Sequence, residues 1–170
     1  DPEKGLTSSP EEIYEALKKQ LAFLCSGGGL WGMMEIGVIE TLFKKGITPD
    51  AIKGASAGNL VSAIVAAHGI EALLKYDRFI NILNVFKLSL DKEQVFDTDN
   101  LAECIRNCVR QDEDHDVTFA DCDERELEDG TTKPAMDLTI VVTDNTHSRP
   151  IYLNKDNYKG PIWKATVASC

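Results

Sequence analysis

The chain has no long apolar run, little positive charge and few histidines. No run approaches the roughly 20 apolar residues that a membrane-spanning helix needs, so we expect no transmembrane segment. The 18 basic residues stand against 28 acidic ones, which gives a net charge of −10. Long-range electrostatics do not draw such a surface to nucleic acid or anionic lipid, so we expect no nucleic-acid partner. Any contact with a membrane would be peripheral, apolar and local.

The cysteines are odd in number, and their spacing is not that of a small disulfide scaffold. This favours a reducing compartment, and we expect a cytoplasmic or peripheral-membrane location. Three of the cysteines and His115 lie close together in sequence, but they match no common zinc spacing, so we expect free thiols and no metal. The five cysteines are Cys25, Cys104, Cys108, Cys122 and Cys170.

Two glycine motifs stand near the front of the chain, each after a short apolar segment. The first is Gly27-Gly28-Gly29-Leu30-Trp31-Gly32, and the second is Gly54-Ala55-Ser56-Ala57-Gly58. The first motif can offer backbone N–H groups to an oxyanion, and the second can hold a serine on a strained strand-to-helix turn. Acyl transfer needs both a nucleophile and a place for negative charge, so the pair predicts a hydrolase active site.

Apolar periodicity predicts an α/β fold with a largely parallel sheet. We expect strands over residues 21–25, 51–54 and 138–142, an antiparallel partner over 150–153, and helices over 33–45, 59–67 and 98–109. Gly46 is placed to cap the first of these helices. The acid-rich segments 111–116 and 121–130 lack the Gly and ligand spacing of a calcium loop, so we expect each to be a solvated loop or an insertion.

The first motif also satisfies the dinucleotide fingerprint Gly-x-Gly-x-x-Gly, with Asp50 about 20 residues further on. Two observations argue against that alternative. Asp50 precedes its strand, whereas a ribose-binding acid belongs at a strand's carboxyl end. The next strand-to-helix turn also carries a Gly-x-Ser-x-Gly sequence, which dinucleotide folds do not require.

Ser56 is the predicted nucleophile, because it follows a strand and precedes a helix whose positive end would favour the alkoxide and the oxyanion. A base must also be found for it. His68 lies about three turns along the same helix, and His115 lies in an acidic loop. His147, in a polar turn, is the only plausible histidine, and its setting is that of a solvated surface residue.

The stretch from residue 21 to residue 69 closely resembles the patatin-like phospholipases. Weaker similarities continue at residues 95–98, 117–121, 140–144 and 163–170. The resemblance implies a three-layer α/β/α fold with a central, largely parallel sheet, and a Ser–Asp dyad that needs no metal or cofactor. It implies that Ser56 is the nucleophile, that Gly27, Gly28 and Gly29 form the oxyanion hole, and that Gly32, Gly54, Ala57 and Gly58 support the motifs.

Three departures from the family's pattern stand out. Ser26 occupies a position where Asp is common, and Trp31 one where Lys or Arg is common. The family's catalytic Asp lies in an Asp-Gly-Gly or Asp-Gly-Ala motif beyond the position of Cys170, and Asp129-Gly130 lies too early to replace it. We therefore expect residues 1–20 to be an N-terminal helical extension and residues 21–170 to be a patatin-like domain lacking its C-terminal part.

The expected function is that of a lipid acyl hydrolase of phospholipase A or lysophospholipase type. Its substrate would be a phospholipid or another acyl lipid, and its catalytic Asp would lie beyond this chain. An inactive patatin-like module that binds lipid or a protein is the alternative, and the altered glycine loop suits it.

Overall fold

The parallel part of the central sheet is built by three strands that all end at the edge where the glycine motifs lie. The computed structural model describes residues 21–75, 98–126 and 132–170, together with positions 9, 12, 82 and 130. The strands are β1 (Ala22–Cys25), β2 (Ala51–Ala55), β3 (Arg125–Glu126), β4 (Thr132–Lys133), β5 (Asp137–Asp144) and β6 (Arg149–Leu153). The helices are α1 (Gly32–Lys44), α2 (Ser56–His68), α3 (Glu71–Leu74), α4 (Thr98–Val109) and α5 (Ile162–Ser169).

The sheet has the order β1-β2-β5-β6. β1 pairs with β2 in parallel, and β2 pairs with β5 in parallel. β6 returns antiparallel to β5 after a tight turn. These pairings confirm the predicted α/β fold with a largely parallel sheet, and also the predicted antiparallel strand at the end.

The core lies between the sheet and α2. Every residue of α2 after Ser56 is buried, because the helix packs on β2 and is itself flanked by α4 and α5. Apolar side chains of the sheet, such as Ile52 and Ile140, point into this layer and are fully buried. A helix that is apolar all round is expected when it is covered on several sides.

The opposite face of the sheet carries exposed side chains. Leu24 is 77% exposed and Tyr152 is 55% exposed, and both alternate with less exposed residues of the same strand. Within the described part of the chain, the helices that pack on the sheet therefore cover one of its two faces. The second helical layer of the predicted three-layer arrangement is not among these residues.

The predicted boundaries hold to within a few residues, and the cap of α1 is as expected. Gly46 has φ +73°, its N–H donates to Phe43 O at 2.8 Å, and the N–H of Ile47 donates to Leu42 O at 3.0 Å. These bonds are those of a Schellman motif, in which a glycine takes the left-handed position past the helix end. None of the described helices is long and apolar enough to cross a bilayer.

The acid-rich segment 121–130 contains one short strand. β3 lies within it and pairs antiparallel with β4, which follows it, in the register Arg125↔Lys133 and Glu126↔Thr132. Lys133 is buried and its ammonium donates to Cys122 O at 2.9 Å, which anchors this small hairpin. The predicted N-terminal extension, residues 1–20, lies outside the described residues except for Ser9 and Glu12, which exchange the two hydrogen bonds of a capping box.

Candidate active site

Ser56 stands at the turn where β2 passes into α2, and its backbone is in the left-handed region. Its φ is +50°, a conformation that an L-residue other than glycine adopts at a cost of about 1–2 kcal/mol. Ala55 before it is extended, with φ −131° and ψ 139°. The chain thus passes from strand to helix at a single residue, as in the nucleophile elbow of a serine hydrolase. Backbone strain of this kind clusters at functional sites.

The two glycines that flank Ser56 are required by close backbone contacts. A Cβ on Gly54 would lie 2.5 Å from Asn59 Cα, because α2 folds back on β2. A Cβ on Gly58 would lie 2.5 Å from the carbonyl carbon and oxygen of Cys25, because α2 also touches the end of β1. Neither position has room for a side chain, so these glycines let the tight elbow form.

The glycine loop after β1 lies against the elbow. A Cβ on Gly27 would lie 3.3 Å from Ser56 Cβ, so the loop backbone passes close to the predicted nucleophile. Gly29 has φ +56°, which favours glycine at this bend. Gly28 accepts a hydrogen bond from the N–H of Trp31 at 3.2 Å, and the buried Gly32 begins α1. The structure thus brings the two motifs together, as the sequence predicts.

The N-terminus of α2 lies at this junction. Its N-cap residue, Ala55, makes no side-chain hydrogen bond to the helix, and Ala57, in the first turn, is buried at 6% exposure. The N–H groups of a helix's first turn have no partner within the helix, and they carry its positive partial charge. An anion that develops on a substrate bound at Ser56 would therefore meet a favourable field.

Two side chains that the sequence does not mark reach this site. The N–H of Ser56 donates to Ser169 Oγ at 2.9 Å, from a helix 113 residues further along the chain. The N–H of Ser26, next to the glycine loop, donates to Glu35 Oε1 at 2.8 Å, and its hydroxyl donates to the same oxygen at 3.3 Å. Residues 163–170 stand out by their family resemblance, but no local pattern singles out Ser169 or Glu35.

Glu35 is a titratable group that hydrogen-bonds Ser26, the residue before the glycine loop. Burial raises the pKa of its carboxyl, and the hydrogen bonds from Ser26 lower it again only in part. Its second oxygen, Oε2, is buried and has no hydrogen-bond partner among the residues that the structure describes. The carboxylate therefore holds the start of the glycine loop at some cost in desolvation.

Each of the three histidines engages a group other than Ser56. His68 Nε2 lies 2.6 Å from Val109 O in the core, and His115 Nε2 lies 3.9 Å from Asp121 Oδ1. His147 Nδ1 lies 2.7 Å from Asp144 Oδ2 in the exposed β5–β6 turn. Asp144 has a lowered pKa, chiefly because His147 hydrogen-bonds it. The His147 pair thus stabilises a turn.

Asp50 lies at the opposite edge of the sheet from the glycine loop. Its Oδ2 accepts the N–H of Leu21 at 3.0 Å, where β1 and β2 begin. An acid at the amino ends of the strands cannot reach a ribose bound at their carboxyl ends, which argues against the dinucleotide alternative. The five cysteines, all of them described, form no disulfide bond, and the described residues contain no group of three or more acidic, cysteine or histidine side chains that could hold a metal ion.

Comparison with known proteins places the chain in a family. A family model described as patatin-like phospholipase matches residues 23–170. Triacylglycerol lipase 4 of Saccharomyces cerevisiae is 31% identical over 163 residues, which cover 88% of this chain and 17% of that protein. Triacylglycerol lipase ptl3 of Schizosaccharomyces pombe is 42% identical over 69 residues, which cover 38% of this chain and 14% of that protein. The chain thus spans about a sixth of the length of these curated relatives.

Among solved structures, the type III effector protein ExoU aligns with a TM-score of 0.49 and 14% identity, covering 88% of this chain and 40% of that one. The family model spans most of the described sheet and both glycine motifs. The chain belongs to the patatin-like phospholipase family.

Proposed function

We propose that this chain carries the nucleophile and the oxyanion hole of a lipid acyl hydrolase. The observation that carries the proposal is Ser56, which is held at φ +50° on the elbow and lies against the glycine loop through Gly27. The left-handed backbone does not single out a nucleophile by itself, since Ser148 has the same φ in an exposed turn; the position of Ser56 beside the glycine loop is needed as well. The family match over residues 23–170 supports the same function.

In the proposed reaction, Ser56 Oγ attacks the carbonyl carbon of an acyl ester while a base removes its proton. The carbonyl oxygen becomes an oxyanion, which the N–H groups of Gly27, Gly28 and Gly29 and that of Ala57 stabilise. The tetrahedral intermediate collapses, the alcohol leaves with a proton, and the acyl group stays on Ser56. Water then hydrolyses this acyl-enzyme and frees the fatty acid. No metal or cofactor takes part.

The proposed base is an Asp in a Ser–Asp dyad, carried in the family's Asp-Gly-Gly or Asp-Gly-Ala motif by sequence that follows Cys170. The partners of the three histidines support this assignment. His68 bonds a core carbonyl, while His115 and His147 pair with acids of their own loops.

The proposed substrate is a glycerolipid ester. Two of the relatives are named triacylglycerol lipases, and the family is named for phospholipids, so both kinds of ester belong in the test. Either substrate resides in a lipid phase. We therefore propose that the protein works in the cytoplasm or at a membrane surface, through peripheral apolar contact.

Residues beside the glycine loop support such a contact. Trp31, Met34 and Val38 are 73%, 62% and 59% exposed. Their spacing of three and four residues places them on one side of the segment that ends the loop and forms α1. Exposed apolar side chains next to a lipid hydrolase site are suited to an uncharged lipid surface.

The test is hydrolysis of triacylglycerol emulsions and of phospholipid vesicles by the protein as its own gene encodes it. We expect release of fatty acid, and we expect Ser56→Ala to abolish it. Ser148→Ala is the matched control, because Ser148 also has φ +50° but lies in the exposed β5–β6 turn. Full activity of Ser56→Ala would contradict the proposal. Vesicle binding without hydrolysis would favour the inactive lipid-binding module instead.

A further inference from the structure

The hydroxyl of Ser169 links the nucleophile elbow to the neighbouring strand. It accepts the N–H of Ser56 at 2.9 Å and lies 2.6 Å from Val141 O. An amide can only donate, so the hydroxyl proton of Ser169 must go to the carbonyl. The result is a directed chain from the Ser56 amide through Ser169 to Val141, in which each hydrogen bond strengthens the other.

This hydroxyl stands where the β2–β5 ladder ends. Ala55↔Val141 is the last pair of the parallel register, and Ser56 leaves the sheet one residue later. If β2 continued, its next residues would pair with β5 directly. Instead, the side chain of Ser169 lies between the Ser56 amide and the Val141 carbonyl. Both of these backbone groups are thereby satisfied although the strand has turned away.

The elbow depends on this arrangement for two reasons. Ser56 holds a φ of +50°, which surrounding contacts must enforce. Its amide is also one of the N–H groups at the start of α2 that have no partner within the helix, and the N-cap residue, Ala55, offers no side-chain hydrogen bond. Ser169 fixes the direction of that amide and, through the backbone, the direction in which Cα–Cβ of Ser56 points.

We propose that Ser169 is a positioning residue for Ser56, acting through the Ser56 amide rather than on the substrate. The proposal rests on the proposed function, since it assigns Ser169 a role in the reactivity of that nucleophile. The last turn of α5 becomes part of the active-site support, although it lies 113 residues from the elbow in sequence.

The experiment measures two properties of Ser169→Ala: amide hydrogen exchange at Ser56, and the rate at which a fluorophosphonate labels Ser56. We expect exchange at the Ser56 amide to quicken by roughly tenfold or more, because one hydrogen bond is lost. We expect labelling and kcat to fall by a similar factor, with KM little changed. Ser169→Thr keeps the hydroxyl and is expected to recover most of both.

Thr166→Val is the matched control on the same helix. Thr166 is fully buried, and its hydroxyl donates to Ile162 O at 3.0 Å within α5. It lies about one helical turn before Ser169, and its hydroxyl bonds its own helix rather than the elbow. We expect this variant to label at the rate of the parent protein even if its Tm falls.

An unchanged exchange rate of the Ser56 amide in Ser169→Ala would show that Ser169 does not hydrogen-bond this amide, and would overturn the proposal whatever the activity. Faster exchange with unchanged labelling would overturn the positioning role. An equal loss of labelling in Thr166→Val would also overturn it, because general weakening of α5 would then suffice. A parent protein that the probe does not label would overturn the proposed function itself, and the role that rests on it, while the exchange measurement would still decide whether Ser169 holds the elbow.

Discussion

Gly27 faces Ser56 with little room between them, although the two residues belong to different motifs. A Cβ on Gly27 would lie 3.3 Å from Ser56 Cβ and 3.6 Å from Ala55 O. Replacing Gly27 by Ala would therefore push the glycine loop away from the elbow by a few tenths of an ångström. The absence of a side chain at Gly27 therefore sets how closely the oxyanion donors approach the nucleophile.

We expect Gly27→Ala to slow fluorophosphonate labelling of Ser56 by roughly tenfold or more, because small misplacements of catalytic groups have large effects on rate. Gly37→Ala is the control. Gly37 is exposed on α1, and a Cβ there would have no atom within 4 Å, so we expect Ala to raise the unfolding free energy by about 0.5–1 kcal/mol and leave labelling unchanged. Equal labelling of Gly27→Ala and the parent would disprove this role of Gly27.

Gly58→Ala tests the packing beneath the elbow. Its new methyl group would meet backbone atoms of Cys25 and Ser26 at 2.5 Å, and backbone cannot move aside as a flexible side chain can. We expect a loss of about 3 kcal/mol in the free energy of unfolding, measured by chemical denaturation. A variant as stable as the parent would show that α2 and β1 are not as close as the structure has them.

Glu35→Gln tests the carboxylate behind the glycine loop. Burial raises the pKa of Glu35, so its ionised form destabilises the fold at neutral pH relative to the unfolded chain. The amide keeps an oxygen for Ser26 and carries no charge, so we expect greater stability at pH 7. The advantage should shrink as the pH falls through the raised pKa toward the ordinary value of 4.5.

The measurement is the unfolding free energy of both proteins across that pH range, with Glu35→Ala as the control that loses the acceptor for Ser26 altogether. A stability difference between Glu35→Gln and the parent that did not change with pH would contradict the raised pKa.

Asp116→Asn tests the link between α4 and α5. Asp116 Oδ1 lies 2.7 Å from Arg106 Nε, and Oδ2 accepts Trp163 Nε1–H at 3.0 Å. Partial burial acts to raise the pKa of Asp116, but these hydrogen bonds and the charge of Arg106 outweigh it and the pKa is lowered. The stabilisation is therefore complete above the ordinary value of 3.8 and is lost as the pH falls below it through the lowered pKa.

We expect Asp116→Asn to cost about 1 kcal/mol at pH 7, a modest figure because the group is partly solvated. The difference from the parent protein should narrow toward pH 3, in thermal unfolding followed at both pH values. A constant difference across this range would mean that the charge of Asp116 contributes nothing.

The sequence predicts the part of the site that local rules govern. The small residues around Ser56 predict the elbow, because Gly54 and Gly58 have no room for a side chain. Gly46, with its positive φ, predicts the end of α1. The proximity of the two motifs follows from parallel strands, whose carboxyl ends share one edge of a sheet.

The rest depends on contacts between distant residues. Ser169 reaches Ser56 across 113 residues, and Trp163 reaches Asp116 across 47. Neither pair leaves a periodic or motif signal, because a hydrogen bond between two side chains or to a backbone amide can be supplied by many residue types. The pairing of β3 with β4 is equally hard to predict, because it is anchored by the buried Lys133, and a lysine in a polar stretch of sequence gives no sign of burial.

The most direct measurement is the site of fluorophosphonate attachment in the protein as its own gene encodes it, determined by peptide mass spectrometry. We expect a single adduct on the peptide that contains Ser56, and none in Ser56→Ala at matched folding by circular dichroism. An adduct on another residue, or equal labelling of the two proteins, would contradict Ser56 as the nucleophile.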